Sequence, residues 1–516
     1  VTTTPAEKTA VTDLNRSAVF SRNAAFSRRR LLSGIALAGG AAVLPSACAK
    51  PTSTTADPET TAESAPVSAS VAQPATANSE AAGNAARQKQ LVDIFETNFG
   101  EQMRAQPQAW RGKFRKMAAG TFPFYRGSAA VYYTDLADEA PDPFVTKESS
   151  RVWIQGDLHG ENFGTYLDST GRLVFDVNDF DESYVGPYTW DVRRFCTSMA
   201  LVGYDQSLAD DQIRDLINTF VGSYIGQVKR FARGEDDRNF ALTLGNTQGV
   251  VLDVLRKARG QTRAGLLDGL TEIIDGDRRF IRNDVNSTIN DQTRSALDAT
   301  FASYLKTVPQ EGRRRDSEYR IKDATATQGF GIGSAGLRMF SLLLEGADET
   351  LENDIILALK QSRASAVAIA VKDQNIKDAF GNQGERVVTA RRAMQANTDE
   401  WLGYSEFEGA GMLVTEVSPY GASPEWKDLK KFDDVRELVK DLGRVVAKIH
   451  CISGEGSGQN LVTGSPAKAI LAAFDGKESQ FSAAIADWSK NYAEKTRTDH
   501  RLFADAFRNR EFPSLN

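Results

Sequence analysis

The 516-residue chain predicts an α+β fold with a large helical portion, and three observations carry that prediction. Two short apolar strands, 163–167 and 173–177, bracket the turn Asp168-Ser169-Thr170-Gly171 inside an acidic stretch. A second strand pair, 337–344 and 355–359, follows a glycine-rich run far downstream. Amphipathic helices lie between and after these. Ile213, Leu216, Ile217, Phe220, Val221, Tyr224, Ile225, Val228 and Phe231 recur at steps of three and four over 210–233. Val435, Leu438, Val439, Leu442, Val445, Val446 and Ile449 do the same over 433–449.

From the start of the chain, Ser27-Arg28-Arg29-Arg30-Leu31-Leu32 and the apolar run to Leu44 resemble a twin-arginine export signal. That run is too short to span a bilayer. Cys48, after Pro45-Ser46-Ala47, is a lipidation candidate, with simple cleavage after Ala47 as the alternative. Residues 1–48 are thus expected to be a signal segment. Residues 49–86, rich in Thr, Ala, Ser and Pro, are expected to form a disordered stalk. The expected location is the cell envelope or the exterior, with membrane contact only through the signal or a lipid. The first 50 residues carry seven Lys/Arg against two Asp/Glu, within a net charge of −6, so the remainder is acidic. An acidic body argues against a nucleic-acid partner, because phosphate binding needs a basic surface. Cys196 and Cys451 make no disulfide framework and read as small buried hydrophobes.

Folded structure is expected from residue 87. Leu91, Ile94, Phe95 and Phe99, then Trp110, Phe114 and Met117, sit at helical spacing. Arg126, in Phe122-Pro123-Phe124-Tyr125-Arg126-Gly127, suits a phosphate, an acidic substrate or a neighbouring acid. The strand 152–154 then delivers Gly156-Asp157-Leu158-His159-Gly160-Glu161-Asn162. Folding the 163–177 hairpin back brings Asp157 and Asn162 near Asp179, which opens Asp179-Phe180-Asp181. These are hard oxygen ligands of the kind that hold Mg²⁺ already shared with phosphates. Asp176 is a rival to Asp179 under a shorter hairpin alignment. Asp191 opens a helix as a cap. Residues 236–310 read as mostly helical, with turns at Gly260, Gly269 and Gly276.

The glycine run contains Gly331-x-Gly333-x-x-Gly336. A strand, the Glu345-Gly346 turn and a second strand ending at Lys360 follow. Glu385 opens a helix through about residue 396. The strand 412–417, which includes Glu416, stops at Ser418-Pro419. Residues 454–464 form a loop, and Ser465-Pro466 starts a final helical region.

The Gly-Asp-x-His-x-x-Asn loop, followed by a hairpin ending in an acid, resembles the catalytic half of the protein-kinase-like superfamily, especially its aminoglycoside-phosphotransferase branch. The resemblance implies that Asp157 orients an acceptor hydroxyl and takes its proton. Asn162 and Asp179 would hold Mg²⁺ on the phosphates of ATP. His159 would brace the loop, Asp191 would support it, and Asp181 would assist. The glycine loop, strand, strand and lysine resemble a nucleotide lobe: Gly331, Gly333 and Gly336 would cover phosphates and Lys360 would contact them, paired with Glu385. The strand ending at Glu416 would join the lobes and bond adenine through its backbone. The lobes are in reversed order, since the lysine follows Asp157 instead of preceding it. A two-lobed kinase-like fold with permuted lobe order is therefore implied, because permutation is cheap where old termini lie close together. Its parts would be 87–320 (catalytic loop and a helical insertion), 321–420 (nucleotide lobe) and 421–516 (helices completing the large lobe).

Residues 122–127 and 156–191 also resemble an uncharacterised bacterial family, domain of unknown function 2252, over most of 87–510. The expected function is an Mg²⁺- and ATP-dependent phosphotransferase acting on an unknown acceptor. The alternatives are a non-catalytic pseudokinase or envelope binding module, and a protein nucleotidyltransferase. A metal-dependent phosphoesterase needs several imidazoles, and the chain has only His159, His450 and His500.

Overall fold

A computed structural model describes residues 75–236, 238–309, 319–327 and 335–516. The twin-arginine segment, Cys48, the first part of the expected stalk, Gly331 and Gly333 lie outside the described residues. The architecture is α+β, with several small antiparallel sheets set among helices.

Helix α1 (Ala75–Ala105) begins earlier than expected and takes in residues 75–86, read from composition as stalk. That segment lacks large apolar side chains, but it is rich in alanine, the best helix former. Arg87 anchors α1 with ion pairs of 2.9 Å to Asp135 and 2.6 Å to Asp499. Helices α2 (Pro107–Ala118), α3 (Thr121–Gly127) and α4 (Ala129–Ala137) follow. β1 (Val152–Ile154) pairs with β4 (Tyr184–Gly186), and β2 (Phe163–Leu167) pairs with β3 (Leu173–Val177). Gly171, at φ +78°, supplies the left-handed residue that the β2–β3 turn requires. Helices α5 (Tyr188–Asp205) and α6 (Asp210–Arg233) come next.

The region expected to be mostly helical contains β5 (Leu242–Thr243), α7 (Gly249–Arg259), α8 (Arg263–Leu270), β6 (Thr271–Ile274), β7 (Asp277–Phe280), β8 (Asn286–Ser287) and α9 (Asp291–Tyr304). The β6–β7 hairpin corrects the helical reading there. Asp275 and Gly276 both take positive φ, which is the Asp-Gly hairpin signature. β9 (Ile321–Thr327), β10 (Met339–Leu344) and β11 (Ile355–Gln361) continue the chain. After the short helices α10 (Val367–Ala370) and α11 (Gln374–Lys377) come α12 (Gln383–Met394), β12 (Gly403–Phe407) and β13 (Ala410–Glu416). β8 to β13 form one six-stranded sheet in the order β12-β13-β11-β10-β9-β8. Helices α13 (Phe432–Cys451), α14 (Pro466–Phe474) and α15 (Glu478–Arg508) close the chain. Among the described residues, no helix is long and apolar enough to cross a membrane.

Two larger hydrophobic cores divide the molecule. One unites α1–α7, α13–α15 and the strands β1 to β4. The other packs Leu297, Phe301 and Tyr304 of α9 onto Leu342, Leu344, Leu357, Leu359 and Val414 of the sheet. Leu357 and Leu359 point into that second core. Strand alternation therefore puts Lys360 on the opposite face of β11, towards the acidic stretch. Cys196 and Cys451 are buried and unpaired, as their sequence contexts imply.

Candidate functional site

The site is built where β1 runs out. Gly156 takes φ +87°, and a Cβ there would stand 2.3 Å from the Glu182 carbonyl oxygen. Only glycine lets the chain turn so close to the end of the second acidic run. Asp191, in the first turn of α5, accepts the backbone N–H groups of Gln155 at 2.6 Å and Gly156 at 2.9 Å. His450 of α13 lies 3.2 Å from the Asp191 carboxylate through Nε2, and its Nδ1 is 2.9 Å from the Tyr224 hydroxyl. Asp191 therefore does not cap its own helix, and its carboxylate holds the backbone at Gln155 and Gly156.

Asp157 follows. The buried Arg194 guanidinium donates to its Oδ1 from Nε at 2.8 Å. Burial pushes the Asp157 carboxyl up to about 6, against the pull of Arg194. The Arg194 guanidinium also stacks on Tyr125 and Tyr132, at 4.3 and 4.8 Å. Asn162 donates its amide to the Asp157 carbonyl at 2.9 Å. His159 is buried and its Nδ1 accepts the Glu161 N–H at 3.2 Å, so it braces the loop. Burial holds its imidazole well below the ordinary range. Arg126 pairs with Glu161.

Asp179 and Asp181 close the opposite side. The Gln155 side chain donates to the Asp179 carbonyl at 2.5 Å, tying the two acidic loops together. Burial and the neighbouring Asp181 push the Asp179 carboxyl up to about 7, with Lys360 opposing. Lys360 bonds Asp181. Burial works against its charge, yet Asp181 and Asp179 outweigh that and raise its pKa. Buried Arg386 donates to the carbonyls of Asp181 (2.8 Å), Arg363 (2.9 Å) and Ser183. Glu182 accepts the Ala366 N–H at 2.6 Å.

Asp157, Asp179, Asp181, Arg126, Lys113 and Arg363 line one cavity, and Lys360 reaches it through Asp181. Its space is about 30 Å³, room for water or a small ion. The donor set is hard oxygen, which fits Mg²⁺. That ion takes one or two protein carboxylates and completes its shell with water and phosphates. Among the described residues, no group of three or more His, Cys, Asp or Glu is arranged to hold a metal.

Several expected site residues stand elsewhere. Asp176, the rival metal ligand, is buried against Lys448 of α13 and accepts the Val177 N–H at 2.8 Å. It belongs to a buried ion pair away from the cavity. The expected pairing of Glu385 with Lys360 does not form. Glu385 accepts the Gly381 N–H at 2.8 Å, while Asn382 accepts the Glu385 N–H at 3.0 Å. An Asn-x-x-Glu pattern at a helix start is a capping signature, and that local demand holds the carboxylate. The Glu416 side chain pairs with Arg263 at 2.6 Å. Gly336 lies outside the cavity lining; its carbonyl accepts from Gln106 at 3.0 Å and it sits against Trp110.

Lys113, Arg194, Arg363 and Arg386 were not singled out by sequence reasoning. One signal was present: Lys113 and Arg194 each interrupt an otherwise apolar helix face, where a cation must find a buried partner. No curated protein and no solved structure matches the chain. The model of a family described as an uncharacterised protein conserved in bacteria (DUF2252) matches residues 104–506, and with most of its length so covered the chain belongs to that family.

Proposed function

We propose that the protein is a kinase-like transferase that uses Mg²⁺ and ATP on an unidentified acceptor. The observation that carries this reading is the convergence of Asp157, Asp179 and Asp181 on one cavity, with Lys360 of the antiparallel sheet bonded to Asp181. Lys360 is far from the three aspartates in sequence, and capping gives no reason for it to meet them. Support also comes from the Asp191 brace beneath the Asp157 loop.

In this reading Asp157 orients the acceptor hydroxyl and takes its proton. Its carboxyl, raised to about 6, is a better base than an ordinary aspartate and is still mostly ionised at neutral pH. Arg194 fixes its orientation. Asp179, with Asn162 and with Asp181 beside it, would hold Mg²⁺, which supplies charge neutralisation on the phosphates. Lys360 contributes a second positive charge. In this reading Asp181, which bonds Lys360, takes the positioning role expected of Glu385.

The test uses the full chain with Mg²⁺ and ATP labelled separately at the α and γ positions. Transfer of the γ label is expected. Asp157→Asn should reduce turnover by about 10²-fold or more while nucleotide binding persists. Asp179→Ala should abolish Mg²⁺-dependent nucleotide stabilisation in a thermal-shift assay. Transfer of the α label would instead identify a nucleotidyltransferase. Absence of nucleotide binding would leave a non-catalytic binding module.

A further inference from the structure

Lys113 is 2% exposed and sits among aromatic side chains of α1 and α2. Its ammonium lies 4.6 Å from the Trp110 ring centroid and 5.3 Å from that of Phe99. It has no hydrogen-bond or ion-pair partner among the described residues, and it lines the cavity that holds Asp157 and Asp179. Burial, with Arg363 nearby, pushes the Lys113 amine well below its ordinary range, and a counter-charge in the cavity would restore the ammonium.

The neighbouring groups point the same way. The Arg363 guanidinium lies 5.3 Å from the same Phe99 ring and reaches its counter-ion, Glu182, only at 3.5 Å. Arg126 uses one nitrogen on Glu161, but its buried Nε has no partner. Ala129 and Ala130, the first residues of α4, line the same cavity, and the cap residue Ser128 gives the helix no side-chain hydrogen bond. Of the acids on the cavity, Asp157 is engaged by Arg194, Asp181 by Lys360 and Glu182 by the Ala366 N–H, while the Asp179 carboxylate accepts only the Asp181 N–H among the described residues. The cations and the helix end thus face one space, which they share with the Asp179 carboxyl.

We propose that Lys113, Arg126, Arg363 and the N-terminus of α4 form an anion subsite that takes a phosphate group beside Asp157. Phosphate suits the donor set because a tetrahedral dianion accepts hydrogen bonds from an ammonium, guanidinium groups and helix amides at once. The subsite stands on its own geometry. Only the source of the phosphate rests on the transferase reading: it is either the terminal phosphate of the nucleotide or a phosphate carried by the acceptor.

The experiment titrates inorganic phosphate into the full chain without nucleotide, followed by calorimetry and thermal shift, with chloride at matched ionic strength as control. Saturable binding and a rise in Tm that chloride does not reproduce are expected. Lys113→Met should weaken phosphate binding at least tenfold. It removes an unpartnered buried amine at similar volume, so its Tm without phosphate should be no lower than that of the native protein. Arg126→Gln, at a partly exposed position, should weaken binding as well and provides a second reading. Native protein that gains nothing over chloride, or two folded variants that bind phosphate as the native chain does, would overturn the subsite. Repeating the titration with saturating Mg²⁺ and a non-hydrolysable ATP analogue identifies the source. Persistence of phosphate binding assigns the subsite to the acceptor, and loss with the analogue but not with ADP assigns it to the terminal phosphate. Because the first titration contains no nucleotide, a protein that binds no ATP leaves the subsite standing.

Discussion

Asp176 and Asp179 belong to one hairpin, yet their surroundings ask different things of them. Asp176 is paired with Lys448 deep between β3 and α13, and Lys448 also donates to the Met394 carbonyl at 3.1 Å. Asp179 faces the cavity, with Asp181 and Lys360 as its charged neighbours. Asp176→Leu strands a buried ammonium and should cost about 3–5 kcal/mol, whereas Asp176→Leu with Lys448→Met should recover much of that loss. Denaturant unfolding of the three proteins measures both, and equal losses in single and double variants would refute the ion-pair account. Asp179→Asn should do the reverse. The folded carboxyl titrates at about 7, above the unfolded value of about 3.9, so the folded state keeps the proton longer. Stability from this group is therefore full below pH about 4 and falls as pH rises towards 7. Metal-free Asp179→Asn should be more stable than the native chain by about 1 kcal/mol at pH 8, after discounting for partial exposure, and the gain should vanish near pH 4. A gain that does not change with pH would count against burial as the cause.

At the scale of elements, the sequence carried most of what local chemistry decides. The ends of β2 and β3, the span of α6, and Ser465 accepting the Lys468 N–H ahead of Pro466 follow from alternation, helical spacing and capping. The contacts that make the site do not. Lys360 meets Asp181, and Lys448 meets Asp176, across long separations that no local pattern encodes. A sequence rule taken from resemblance paired Lys360 with Glu385, but the local capping preference at the start of α12 prevailed. Turn geometry gives a sharper case. Gly156 and Gly171 both take positive φ, but a Cβ on Gly171 meets nothing within 4 Å, while one on Gly156 meets the Glu182 backbone. Gly171→Ala should cost about 1 kcal/mol, the left-handed strain alone. Gly156→Ala adds a backbone collision, so it should cost at least about 2 kcal/mol and displace the Asp157 loop. Similar melting temperatures for the two variants would show that the close approach at Gly156 carries no constraint.

For the whole molecule, the cavity is narrow in a way that a nucleotide enzyme must undo. Its space of about 30 Å³ is roughly a tenth of the volume of small-molecule pockets. On the proposed transferase reading a triphosphate must widen this space, and movement of the sheet, with its own core, against the helical body would do so. One tie between them at the cavity is the Lys360–Asp181 bridge; Arg386 holds the same loop by its carbonyls, which a side-chain change leaves intact. Asp181→Asn should loosen the bridge and keep the backbone clasp. If the open form is a minor population, the observed association rate scales with that population, and weakening the tie raises it. Stopped-flow mixing of the full chain with a fluorescent Mg²⁺–ATP analogue should show association faster by about five- to tenfold in Asp181→Asn. Hydrogen exchange should show, in the same variant before nucleotide is added, weaker protection of β11 and of residues 179–183. The two measurements belong together, since faster association without local loosening would mean that Asp181 acts only by repelling the phosphates. Unchanged association together with unchanged exchange would mean that the bridge is not the latch and that the cavity opens elsewhere.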